Sequence, residues 1–110
     1  MRDSTSQEDM QIIKRLKIIK GHINAVEHMI GEGRSYDEIV MQLEAIRSAI
    51  VKTSTVAAQC YAKTSMIEAL QKGDRGIENL KKPIELLMKV SQHTTDTFVA
   101  SRQVENSEAV

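Results

Sequence analysis

Aromatic residues are nearly missing from this chain: there is no Trp, and Tyr36, Tyr61 and Phe98 make up the whole 3%. Strands of β-sandwiches and barrels draw on aromatic and β-branched side chains, so the composition argues against an all-β fold. Cysteine is reduced to Cys60, which excludes an internal disulfide framework and a multi-cysteine zinc site and fits a reducing compartment. Net charge is absent as well. Fifteen Lys and Arg balance fifteen Asp and Glu, so bulk charge alone points to neither nucleic acid nor a membrane. No apolar run is long enough to span a bilayer. Residues 1–10 hold acids and no apolar stretch, so no signal peptide is expected and the expected location is cytoplasmic. With 110 residues there is room for one domain, and an apolar content of 41% is that of a globular chain.

What the chain does have is helical periodicity. From Ile12 the apolar positions run Ile12, Leu16, Ile19, Ile23, Val26 and Ile30, alternating steps of four and three, which is a heptad seam. Thr5 or Ser6 is placed to cap this first helix, and Gly31 and Gly33 to end it. A second seam begins near Ser35 and reads Ile39, Leu43, Ile46, Ile50, Thr53, Ala57, Cys60, Thr64 and Ile67, with Lys72 and Gly73 closing the helix. A helix that long, with mostly small side chains from Thr53 to Ser65, is expected to pack against a copy of itself. The third element, about Asp74 to Ser91, carries Ile77, Leu80, Ile84, Leu87 and Met88, and Pro83 inside it should bend or split it. The expected fold is all-α: a three-helix protomer in one domain over 1–110, an ordered core of about 6–91 and a polar tail from 92. Two unbroken apolar seams in so small a chain predict an oligomer.

Zero net charge conceals an uneven distribution. Residues 10–63 carry eight bases against five acids, while 1–9 and 92–110 each hold one base and three acids. Lys14, Arg15, Lys17 and Lys20 cluster off the first seam; Arg47, Lys52 and Lys63 follow on the second helix with no acid between Arg47 and Lys63. Repeated across an oligomer, these bases would offer DNA a positive stripe. The plainer reading is that a helix with an apolar seam must be charged elsewhere. No helix-turn-helix, zinc finger or leucine-zipper basic region is present. No nucleophile–base pair, phosphate-cradling glycine loop or carboxylate cluster appears either, so neither enzyme activity nor a cofactor is expected. The histidines lack tight ligand spacing, His22 and His28 being six apart and His93 lying in the tail, so no metal site is expected from them.

The stretch Arg15-Leu16-Lys17-Ile18-Ile19-Lys20-Gly21-His22-Ile23, with Met29, Gly33-Arg34 and Gln42-Leu43-Glu44-Ala45-Ile46-Arg47-Ser48-Ala49, closely resembles the CsoR/RcnR/FrmR family of bacterial transcriptional repressors. The resemblance implies an antiparallel four-helix bundle made by helices 1 and 2 of two chains, and a dimer-of-dimers tetramer. It implies operator DNA as partner, contacted by Lys14, Arg15, Lys17, Lys20 and Lys52, with Arg47 beside them. It also implies an effector that weakens DNA binding.

Departures from the family pattern fall at the effector positions. Where copper-sensing members carry a Cys at the start of helix 2 and a His and a Cys one turn apart further along it, this chain has Tyr36, Tyr61 and Ser65. Copper(I) prefers thiolate and imidazole donors, so the copper pattern fails. The nickel/cobalt, formaldehyde and persulfide patterns all need that first cysteine and fail with it. An effector pocket of Tyr36, Tyr61, Ser65 and Cys60 then has two readings: rings filling the space a metal held, or an aromatic-lined site for a small organic molecule. Cys60 reads as a small core filler or as a reactive thiol, which needs a depressed pKa and exposure. The expected function is a DNA-binding repressor of unknown effector. The alternatives are an interaction module that forms mixed oligomers with a paralogous repressor without binding DNA, and a redox or electrophile sensor acting through Cys60.

Overall fold

A computed structural model describes residues 6–92, so the tail beyond them and Thr5 lie outside the described residues. The first helix, α1, spans Gln7–Gly31 and opens on a reciprocal cap. The Ser6 hydroxyl accepts from the Asp9 backbone N–H at 3.1 Å, and the Asp9 carboxylate accepts from the Ser6 N–H at 3.2 Å. Two amide donors that a helix start leaves without partners are thereby satisfied. At the other end the Gly33 N–H reaches the Ile30 carbonyl and the Arg34 N–H reaches the Met29 carbonyl. That closure needs a left-handed residue, and Gly33 supplies it with φ of 75°.

The second helix, α2, spans Tyr36–Lys72, 37 residues or about 55 Å at roughly 1.5 Å per residue. Asp37 and Glu38 place negative charge in its first turn, against the positive end of the helix dipole. Gly73, with φ of 67°, ends it, and its N–H bonds to the Ala69 carbonyl. The third helical segment is divided. A single turn, α3 (Asp74–Ile77), passes into a 3-10 turn at Glu78–Leu80 and then into a helix, α4, over 81–92. Pro83 explains the break: it lacks an N–H, and its ring would meet the carbonyl four residues back, within the 3-10 turn. In the first turn of α4 its missing donor costs nothing, because amides there have no helical acceptor.

The chain divides into two compact units, residues 1–53 and 54–110. In the first, α1 and the start of α2 form a hairpin with Ile19, Val26, Ile39 and Ile46 buried at its centre and Met29 and Ala49 packed against them. Fully burying one such side chain is worth about 1.5–3 kcal/mol. The buried set differs from the seam read off the sequence. On α1 it runs 19, 22, 26, 29 and on α2 39, 42, 46, 49, 53, so every second seam residue (Leu16, Ile23, Ile30, Leu43, Ile50) stays exposed. A single neighbouring helix covers only one narrow stripe, and the broader apolar face of α1 extends past it.

In the second unit Ala58, Ala69, Gly76 and Pro83 are buried, and Ala62 and Ser65 are half-buried. These helix positions (58, 62, 65, 69) do not continue the expected seam, whose members Ala57, Thr64 and Ile67 are exposed. A Cβ on Gly76 would run into the Ala69 Cα and stand 2.8 Å from the Ala69 carbonyl oxygen, so only glycine allows this approach of backbones. Among the described residues, no helix is long and apolar enough to cross a membrane.

Candidate nucleic-acid interface

All six bases expected to meet DNA lie in the first unit and are exposed: Lys14, Arg15, Lys17 and Lys20 on α1, Arg47 and Lys52 on α2. Among the described residues, the four on α1 and Lys52 form no ion pair. Arg47 does: its Nη1 donates to Oε2 of Glu44 at 3.4 Å, one turn away, with both side chains more than half exposed. Such a pair is worth at most about 0.5 kcal/mol and is easily surrendered to a phosphate. Arg34, at the hairpin connection, is held more closely, its Nε donating to Oε2 of Glu38 at 2.8 Å.

Helical spacing sorts α1 into three stripes. Ile19, His22, Val26 and Met29 face α2. Ile13, Leu16, Ile23 and Ile30 form an exposed apolar stripe beside them. Lys14, Lys17, Gly21, Asn24 and His28, again in steps of three and four, lie on the side away from α2 and are all exposed. Lys14 and Lys17 thus come free of both apolar stripes, while Arg15 stands one turn before Ile19 in line with the first and Lys20 between Leu16 and Ile23 in line with the second.

Inside the hairpin, Nε2 of His22 and Oε1 of Gln42 stand 2.7 Å apart, so the ring N–H donates to the amide carbonyl. The sequence singled out His22 without finding its partner. The clue lay in the 3-4 spacing of 19, 22, 26 against 39, 42, 46, which brings a polar residue from each helix to the same level. Thr53, the buried polar residue at the end of the unit, donates its hydroxyl to the Ala49 carbonyl at 2.8 Å. His28 stands exposed on the outward stripe, and His93 is outside the described residues.

The four residues expected to form an effector pocket are distributed over both units. Tyr36 is the first residue of α2 and is 84% exposed. Cys60 and Ser65 are half-buried and Tyr61 is exposed; Tyr61 and Ser65 lie one turn apart. Next to Tyr36, the Asp37 carboxyl is held below the ordinary value of 3.8, first by the Ser35 hydroxyl and then by the backbone N–H groups of Asp37 and Glu38. Two phenols and an alcohol are poor donors for a thiophilic metal ion. Among the described residues, no three His, Cys, Asp or Glu side chains come together. This donor set does not fit such an ion.

Residues 8–90 match the family described as metal-sensitive transcriptional repressors. Among curated proteins, the chain is similar to the copper-sensing transcriptional repressor CsoR of Bacillus subtilis (strain 168), at 27% identity over 70 residues, or 64% of this chain and 69% of that protein. No solved structure matches it. The matched span runs from the first turn of α1 to residue 90 in α4 and takes in both units. The chain therefore belongs to the metal-sensitive transcriptional repressor family, a family of regulators rather than enzymes.

Proposed function

We propose that the protein represses transcription as a homo-oligomer that binds operator DNA through Lys14, Arg15, Lys17, Lys20, Arg47 and Lys52. The observation that carries this reading is a family of repressors matched over residues 8–90, joined to a set of exposed α1 bases that have no acidic partner. Phosphate contacts from such bases position a protein on the duplex, and operator shape supplies part of the selectivity. The oligomer follows from the exposed apolar stripe of the hairpin. Leu16, Ile23 and Ile30 on α1 and Leu43 and Ile50 on α2 recur every seven residues, and in an antiparallel pair their equal offset from the buried stripe puts them on one face. A second copy presenting the same face would complete a four-helix bundle, and a dimer of dimers would cover Ile77, Ile84 and Met88, exposed in the second unit. Copper sensing does not transfer from the Bacillus relative, since Tyr36, Tyr61 and Ser65 replace the ligands it would need. An effector that releases the DNA has to bind the free form more tightly than the DNA-bound form.

The test is fluorescence anisotropy with the DNA upstream of the protein's own gene, over a salt series. Log affinity falls by about 0.9 per phosphate neutralised, so a slope of several units against log salt is expected. Absence of binding at low salt overturns the reading in favour of a module that forms mixed oligomers with a paralogue. Copper, nickel, formaldehyde and a persulfide donor, each added to the complex, are expected to leave it intact. Release by an oxidant or aldehyde that Cys60→Ala abolishes would make Cys60 the sensor.

A further inference from the structure

Gly21 lies in the middle of α1, where glycine is the least favourable residue short of proline. Neither usual reason for a glycine applies there. Its φ is not in the left-handed region, which among the glycines holds only for Gly33 and Gly73. No heavy atom comes within 4 Å of the place a Cβ would occupy, in contrast to Gly76. The chain itself gives no reason for the missing side chain, so the reason lies outside it.

Gly21 is central to the outward stripe of α1. Lys17 and Lys14 stand one and two turns before it, Asn24 and His28 one and two turns after, and no acid interrupts the stripe from Met10 to His28; Glu32 follows beyond the helix end. Lys14 to His28 spans about 21 Å of helix, over which a duplex strand advances roughly six nucleotides. At Gly21 the helix backbone is bare. Its N–H is committed within the helix, so the glycine adds no donor. It removes bulk, leaving a shallow saddle between donors that reach forward from either side.

We propose that Gly21 is a positioning residue of the DNA interface: the sugar–phosphate backbone of the duplex seats against the bare α1 surface at Gly21, with Lys17 and Asn24 gripping the phosphates on either side. This rests on the DNA-binding reading above and adds where and how closely the duplex approaches. A second copy of the chain fits the saddle less well, because the stripe would bring its lysines against like charge, while the apolar faces lie elsewhere on the hairpin.

The test is anisotropy on the intact protein with the same upstream DNA, comparing Gly21→Ala, Gly21→Leu and Lys17→Gln. Alanine and leucine favour helix at an open site, so both variants are expected to melt several degrees higher than the parent and to keep its oligomeric state. Affinity for DNA is expected to fall about tenfold for Gly21→Ala and by a hundredfold or more for Gly21→Leu. Lys17→Gln is expected to lower the salt slope by about one for each protomer that contacts the DNA, as loss of one phosphate contact per protomer requires. If the parent binds DNA and Gly21→Leu binds equally well, the duplex does not approach Gly21; this inference is lost and the repressor reading stands. If Gly21→Leu changes the oligomeric state, the saddle belongs to a protein contact and the inference is again overturned. If the parent binds no DNA at low salt, both readings go together.

Discussion

Residues 1–53 put large branched side chains inside, whereas residues 54–92 put small ones there. The hairpin closes on Ile19, Val26, Ile39 and Ile46; the second unit buries Ala58, Ala69, Gly76 and Pro83, with Gly76 against Ala69, and leaves Met66, Ile67, Leu70, Ile77, Ile84 and Met88 exposed. The first arrangement derives stability from apolar area removed from water, and its helices stay apart by the length of an isoleucine. The second depends on close backbone approach, with little area per residue and dispersion contacts that a single added methyl disrupts. The two regions should therefore fail under opposite kinds of substitution: the hairpin when trimmed, the second unit when filled.

The largest expected effect is at the hairpin centre. Ile46→Ala is expected to cost about 2–5 kcal/mol in urea unfolding, since the cavity it leaves is lined by residues of two helices that cannot both relax into it. Next comes filling the second unit. Gly76→Ala is expected to lose about 1–3 kcal/mol through overpacking against the Ala69 backbone. Helix propensity alone would predict a gain of nearly 1 kcal/mol, the direction expected at Gly21. Opposite signs for one substitution at two glycines would sharpen the contrast, and a stabilising Gly76→Ala would break it.

The smallest expected effect concerns Asp37, which is held by local hydrogen bonds and not by packing. Its carboxyl is more acidic in the folded protein, so its contribution is present above the ordinary carboxyl value of 3.8 and is lost as pH falls through the lower folded value. Asp37→Asn is thus expected to melt slightly below the parent at pH 7, with the difference closing under strongly acid conditions. A difference that persists unchanged into acid would assign the effect to packing.

Much of this was legible in the residues. Ser6, the glycine pair after Ile30, and Gly73 after Lys72 are local signals, and α1 and α2 begin and end where they say. Pro83 announced an interruption, and it falls just before the proline because the proline ring acts on the turn preceding it. The bases of α1 were visible as a cluster, although placing Lys14 and Lys17 on the outward stripe with Gly21 required knowing which face of α1 meets α2. The pairing of His22 with Gln42 was hidden for the same reason, being a contact twenty residues apart along the chain.

The all-α class, the helix ends and the repressor family can be read from the residues alone, because capping, periodicity and motif are written in residues close together along the chain. Which apolar residues are buried depends on packing between segments far apart along the chain. A heptad seam names a stripe of candidates without naming a partner. Where the partner is one antiparallel helix, alternate members go inside and the rest stay exposed; where it is a closely packed turn, the stripe gives way to alanine and glycine at other positions.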